Sequence, residues 1–323
     1  MSVLAPFLGI AHMLAHPFLR YAFLAGTAIA LASGLAGYFV VLRAQVFTGD
    51  SLSHVAFTGA LAALVAGTSL LFGLYAACVV VALGMAALGA RGRADDTVIG
   101  SVFAWILGLG ALLLTIYTTS AAGTNATSGV NVLFGTIFGL SASQAATDTL
   151  IAAGVAAAVL AIARPLLFAS IDEAVAAARG VPAGFLSYAF LGLVGVTAAA
   201  ASQAVGALLL LGLLAGPAGA AQRLTARPYR ALWLSAGIAT GSVWAGLSIA
   251  YAAPQIPPSF GILAVTTSCY LLAYAVTAAH RWLVPDGASR EGASGGNTAT
   301  SPHHAAITLS AHSPAAEGDT RCP

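Results

Sequence analysis

Charge is scarce in this sequence, and lysine is missing altogether. The 323 residues include twelve arginines and ten acidic residues, so only 7% are charged, against about 25% in an ordinary soluble domain. Hydrophobic residues make up 59% of the chain. This balance excludes a soluble enzyme, a nucleic-acid-binding protein and a disordered protein. Because a Walker A loop needs a lysine for the nucleotide phosphates, the chain is not a standard P-loop ATPase.

Other signatures of chemistry are also missing. The sequence lacks the HExxH pattern of zinc proteases. Its three cysteines, Cys78, Cys269 and Cys322, are far apart, which argues against a disulfide or a metal cluster. We therefore expect no catalysis by this chain alone and no permanently bound cofactor. If the protein works by ATP, a partner subunit must hydrolyse it.

Long apolar runs fill most of the chain. Residues 18–283 are almost continuously apolar, and about 20 such residues suffice for a helix to cross a bilayer. We predict an all-α, polytopic integral membrane protein with about eight to nine transmembrane helices. The segment 132–142 is too short to cross and predicts a re-entrant or interfacial turn. The predicted spans are 21–42, 52–69, 72–90, 98–119, 146–163, 183–202, 203–222, 231–252 and 260–280.

Two segments flank this membrane domain. Residues 1–17 predict an N-terminal interfacial segment, and residues 284–323, rich in Ser, Thr, Pro and Gly, predict a disordered tail. Both contain histidines that are candidate accessory metal ligands, although headgroup contact and a solvated tail explain them more simply. These histidines are His12, His16, His303, His304 and His312.

Arginines mark one side of the membrane. They cluster in three connections between predicted spans and follow the last span, and the positive-inside rule assigns these positions to the cytoplasm. The uncharged connections 120–131 and 253–259 fit the outer face. We therefore expect a cytoplasmic C-terminal tail and, from the Arg-, Ala- and Gly-rich composition, a bacterial plasma membrane. The clustered arginines are Arg91, Arg93, Arg164, Arg179, Arg223, Arg227, Arg230 and Arg281.

The sharpest candidate site is Asp50 with His54. At positions i and i+4 of a helix, the two side chains share one face about one turn apart. A carboxylate and an imidazole so placed can ligate one divalent cation such as zinc, manganese or iron. Ser51 and Ser53 could orient these ligands or line a path, and Gln203 is a further candidate for path lining. The alternative is an interfacial aspartate that caps the first turn of the helix.

Two other groups of polar residues lie near predicted helix ends. Residues 170–182 form the only charged, helix-like stretch in a predicted cytoplasmic loop, opened by acidic residues and closed by Arg-Gly-Val-Pro. This pattern predicts a short helix outside the membrane, either a solvated connector or a helix that docks a partner. Asp148 opens a predicted span, where a negative charge favours the helix N-terminus.

Several stretches resemble one family, the permease subunits of ABC importers for zinc, manganese and iron. Its early motif, Gly-Asp-X-Leu-Ser-His, is matched by residues 49–54. The further matches, in family order, are Leu133-Phe134-Gly135, then Asp172, Ala176 and Gly180 of the docking segment, then residues 203–221 for the Val-Gly-X-Leu-Leu…Pro-Ala-X-X-Ala helix, then Pro258 to Gly261. Together they cover residues 18–280. Thr58 and Glu173 stand where the family usually has proline.

The resemblance implies a homodimeric permease with an ion path at its two-fold axis. Asp50 and His54 would form the metal site of the path. Each chain would bind a cytoplasmic ABC ATPase through the helix at 172–182, and an extracytoplasmic metal-binding protein would deliver the ion. The cargo would be Zn²⁺, slightly favoured over Mn²⁺, with Fe²⁺ as a further candidate. The ATPase-coupling residues would be Asp172, Glu173, Ala176, Arg179 and Gly180.

Three alternatives stay open at this point. A related ABC permease for a siderophore or cobalamin would pass a bulky ligand and need no Asp–His pair. A secondary transporter or channel would work without ATP. A structural membrane scaffold is a third, weaker interpretation.

Overall fold

The computed structural model describes residues 17–89, 96–120, 135, 137–207 and 210–283, and in these residues every regular element is a helix. The chain divides into two compact units, residues 1–280 and residues 281–323. The helices that matter for function belong to the first unit. The predicted all-α class is therefore confirmed.

Nine long helices and one short helix make up the described part of the chain. The long helices are α1 (Pro17–Leu42), α2 (Val46–Val65), α3 (Leu70–Leu88), α4 (Asp96–Ser120), α5 (Ala142–Ile171), α7 (Ala183–Val205), α8 (Leu210–Leu224), α9 (Pro228–Ala252) and α10 (Pro258–Leu283). The short helix is α6 (Glu173–Ala178), and a 3-10 turn, Ile137–Gly139, precedes α5. Each long helix corresponds to one of the nine predicted spans.

Seven of the long helices in the described residues are long and apolar enough to cross a membrane. The two exceptions are α2 and α8. Helix α8 has 15 residues, which at about 1.5 Å per residue gives about 22 Å, less than the roughly 30 Å hydrocarbon core. Helix α2 has 20 residues and carries Asp50, His54 and several hydroxyl side chains, which lower its hydropathy. Both exceptions pack inside the helical assembly rather than around it.

Small residues bring the inner helices close together. Gly37 of α1 lies against the main chain of Leu214 in α8, and Gly59 of α2 lies against Gly73 of α3. Between apolar helices in lipid, such close backbone contact replaces the hydrophobic driving force that water would supply. Helix α1 is the most enclosed, with α5, α7, α8 and α9 packed around it. The outer helices α4 and α10 leave large apolar side chains exposed, as a surface in contact with lipid requires.

Capping residues explain where several helices differ from the predicted bounds. Helix α5 begins at Ala142 because Ser141 and Gln144 form a capping box. Asp148 therefore lies in the second turn of α5, and its expected role as an N-terminal charge is wrong. Helix α7 continues past residue 202 to Val205, where Gly206 adopts a positive φ of 101° and ends it.

Candidate metal-binding site on helix α2

Helix α2 starts directly after a tight turn at the end of α1. Ala44 adopts φ 54° in this turn, and the amide of Gln45 donates a hydrogen bond to the carbonyl of Val40 at 2.8 Å. Gln45 is the N-cap residue, so Asp50 lies in the second turn of α2. The alternative in which Asp50 caps the first turn is therefore excluded.

Asp50 and His54 lie on the one face of α2 that this protomer leaves open. Both side chains are half-buried, and Phe47, one turn earlier, is 42% exposed. The His54 ring packs edge-on against Phe103 of α4, with ring centroids 5.1 Å apart. Phe47 also packs against the Phe103 ring, with ring centroids 5.8 Å apart. The site is thus a carboxylate and an imidazole beside two aromatic side chains. Phe103 packs against the imidazole, and Phe47 packs against Phe103.

Buried residues on either side of the open face fix α2 within the protein. Ser51 and Ser53 flank this face and are completely buried, and their hydroxyls donate to the carbonyls of Phe47 and Asp50 at 2.9 and 2.6 Å. In this protomer both hydroxyls are therefore directed to the helix backbone rather than to the open face. The thiol of Cys78 in α3 donates to the carbonyl of Leu52 at 3.5 Å and joins the site helix to its neighbour.

Thr58, which stands where the family usually has proline, connects α2 to α4. Its buried hydroxyl donates to the carbonyl of Ile106 at 3.2 Å. A proline at this position would interrupt the hydrogen bonds of α2, whereas α2 runs unbroken from Val46 to Val65. The helix that carries Asp50 and His54 is therefore uninterrupted through the site. A side-chain hydrogen bond holds it to α4.

A single chain supplies only part of a coordination sphere. Among the described residues, no three side chains of the His, Cys, Asp or Glu type come together. Asp50 and His54 provide at most a carboxylate and one imidazole nitrogen, fewer than the four or more ligands that divalent transition metals usually take. The described residues of this protomer therefore offer two candidate ligands at this place, Asp50 and His54.

Gln203 lies in the last turn of α7. It is buried, and among the described residues its side-chain carbonyl oxygen has no hydrogen-bond partner, nor does the hydroxyl of neighbouring Ser202. The backbone of Gly135, which has a φ of 75°, packs directly against residues 204–206. Path lining by Gln203 stays a prediction.

A short helix is present at the predicted place, as α6; its position outside the membrane stays a prediction. Asp172 is its N-cap, and its carboxylate accepts a hydrogen bond from the amide of Val175 at 2.9 Å. Ala176 is completely buried against the neighbouring helices, whereas Arg179 and Gly180 are exposed. Gly180, with φ 79°, ends the helix, and the guanidinium of Arg179 lies 5.9 Å from the Phe168 ring centroid. One face of α6 is therefore anchored and the other is exposed.

Some predicted residues lie outside the described part of the chain. They are His12, His16, Leu133, Phe134, His303, His304 and His312. The side chain of Glu173 belongs to the same group. Their proposed roles stay predictions.

Comparison with known proteins agrees with this architecture. A sequence model described as "ABC 3 transport family" matches residues 15–277. The manganese transport system membrane protein MntC of Halalkalibacterium halodurans is 29% identical over 272 residues, covering 81% of this chain and 88% of that protein. A probable iron transport system membrane protein of Haemophilus influenzae is 25% identical over 235 residues, covering 72% and 84%. The solved structure of PsaBC from Streptococcus pneumoniae in complex with Fab superposes with a TM-score of 0.71 at 25% identity, covering 85% of this chain and 97% of that one.

Proposed function

Because the chain belongs to the ABC 3 transport family, we propose that it is the membrane permease subunit of an ABC importer for a divalent transition metal, with Mn²⁺ as its cargo. It does not hydrolyse ATP itself, since it lacks the lysine of a Walker A loop. ATP hydrolysis by a partner subunit drives the import. The metal ion is substrate and passes through the protein rather than residing in it.

One observation carries this proposal, namely the position of Asp50 and His54 on the open face of α2. Ionisable residues inside membrane proteins face ion paths or partners because exposure to lipid is costly. Two copies of the chain, meeting at this face, would bring together two carboxylates and two imidazoles. Such a set suits a cation that is bound briefly and then released.

Manganese is the preferred cargo because relatives with this name cover most of the chain, among them MntC. The relatives give no support to the slight preference for zinc that the residues suggested. A carboxylate-containing site is compatible with manganese, and affinity order alone does not select the metal. Iron is the second candidate, on account of the iron transport relative.

The partners follow from the same family membership. The exposed face of α6 would bind the cytoplasmic ABC ATPase, and an extracytoplasmic metal-binding protein would deliver the ion. The loops that carry arginines would face the cytoplasm of a bacterial cell, as would the tail 284–323. In the membrane, a second copy of the chain would complete the path as a homodimer.

A deletion strain tests the proposed cargo. Wild-type protein should restore growth and cellular manganese under manganese limitation, and His54→Gln should not, because it removes the imidazole ligand. Asp96→Asn, at the exposed start of α4, serves as the control and should behave as wild type. Restored zinc or iron content instead of manganese would change the cargo, and uptake only of a metal chelate would contradict the proposal.

A further inference from the structure

A second ionisable residue is buried in the membrane domain, away from the site on α2. Asp148 lies in the second turn of α5 with 1% of its surface exposed. Within the described part of the chain, neither carboxylate oxygen makes a hydrogen bond. Among the residues that the structure describes, Asp148 forms no ion pair. Buried polar side chains are nearly always satisfied, so this carboxyl group requires an explanation.

Tyr75 of α3 is the polar side chain that faces Asp148. Its hydroxyl is buried and interacts with the carboxyl group, although the two do not reach hydrogen-bond geometry. Tyr75 lies in the second turn of α3, as Asp148 does in α5. Both residues are thus at the end of the helices opposite to the arginine-bearing connections, on the side assigned to the outer face.

Among the described residues, no positively charged side chain is bonded to Asp148. Helix α5 packs against α1, α6 and α7. The ionisable side chains of α1 and α7 are Arg20, Tyr21, Tyr38 and Tyr188, and none of them is bonded to Asp148 in the described structure. The charged residues of α6 lie at the other end of α5. On α3, Cys78 interacts with Tyr75 rather than with Asp148.

The free-energy cost of an unpaired, charged carboxylate in this environment is too high for the charged form to persist. Isolated ions buried in an apolar medium take up a proton rather than stay charged. Ionisable residues inside membrane segments commonly serve as proton relays or ion sites.

We propose that Asp148 and Tyr75 form a proton-binding site between α3 and α5, in which the carboxyl group of Asp148 carries the proton in this conformation. When Tyr75 and Asp148 move apart, water reaches the carboxyl group and the proton leaves to it as hydronium. Since only the arrangement with the two side chains together holds the proton tightly, low pH on that side favours this arrangement. Helix α3 transmits the change to α2 because Cys78 bonds to the carbonyl of Leu52.

Infrared spectroscopy of the purified protein tests the proposal directly. The wild-type spectrum at neutral pH should contain the carbonyl stretch of a protonated carboxylic acid. Asp148→Asn, which has nearly the same shape as the protonated group, should fold normally and lose this band. Asp96→Asn, which alters an exposed aspartate, should keep it.

Tyr75→Phe provides the second variant, because it removes the hydroxyl that faces the acid. Its band should remain and shift in frequency. The proposal is overturned if the wild type and Asp148→Asn have the same spectrum in this region. Should Asp148→Asn not fold, an unshifted band in Tyr75→Phe would overturn it equally. None of these results depends on which metal the protein transports.

Discussion

At the scale of single residues, glycine decides how closely the inner helices approach. Gly73 of α3 faces the carbonyl of Gly59 and the side chain of Ala63 in α2, and an added Cβ would meet both. Helix α2 carries Asp50 and His54, so the position of these two ligands depends on this contact. Gly84, further along α3, has nothing within 4 Å of an added Cβ.

We expect Gly73→Ala to destabilise the protein and Gly84→Ala not to. The first substitution overpacks a backbone contact, which typically costs about 1–3 kcal/mol. The second places a good helix former in open space and should leave stability unchanged or raise it by up to about 1 kcal/mol. Thermal unfolding in detergent measures both, and equal midpoints for the two variants would contradict this packing.

The shared helix face of Asp50 and His54 could be predicted from sequence, but its setting could not. The i, i+4 spacing of Asp50 and His54 placed them on one helix face. That this face is open, and that Ser51 and Ser53 bond to the helix backbone, depends on which helices pack around α2. The role expected for Asp148 at a helix N-terminus was wrong for a related reason. Its burial beside Tyr75 of α3 is a tertiary contact that no local sequence pattern predicts.

At the scale of elements, α6 is a short helix that one side chain stabilises. It has six residues, far fewer than an isolated helix needs to be stable. The cap from Asp172 and the burial of Ala176 hold it in place. The same aspartate therefore contributes both a helix cap and a negative charge at the proposed docking surface.

Two substitutions at Asp172 separate these contributions. Asp172→Ala removes the cap, which should cost about 0.5–2 kcal/mol of local stability, and we expect it to reduce co-purification of the ATPase. Asp172→Asn keeps a good cap without the charge, and we expect it to retain the ATPase. Co-purification of the partner measures both. Equal binding by the alanine variant and the wild type would contradict a role for the capped helix in docking.

The sequence predicted the presence of the long helices more reliably than it predicted their first and last residues. Apolar length alone predicted all nine long helices, because nothing but a helix or a closed barrel satisfies the backbone in lipid. The bounds depended on caps such as Ser141 and on a glycine conformation at Gly206. The start of α2 at Val46, before its first apolar run, followed from the tight turn at Ala44.

At the scale of the whole molecule, the apolar spans surround two helices, α2 and α8, that are too short or too polar to count as membrane spans themselves. The more apolar helices, such as α4 and α10, expose their side chains as lipid requires. Helices α2 and α8 lie within, and α2 leaves its ligand-bearing face open. Our central claim follows from this arrangement: a metal ion crosses the membrane along the open face of α2, between two copies of the chain.

The most direct test is ATP-driven manganese accumulation in proteoliposomes that contain the permease and its ATPase. With wild-type protein we expect Mn²⁺ uptake that requires ATP. With Asp50→Asn, which removes a carboxylate ligand, uptake should fall at least about tenfold while the complex stays assembled, and Asp96→Asn should transport as wild type does. Wild-type rates of uptake by Asp50→Asn would contradict the account.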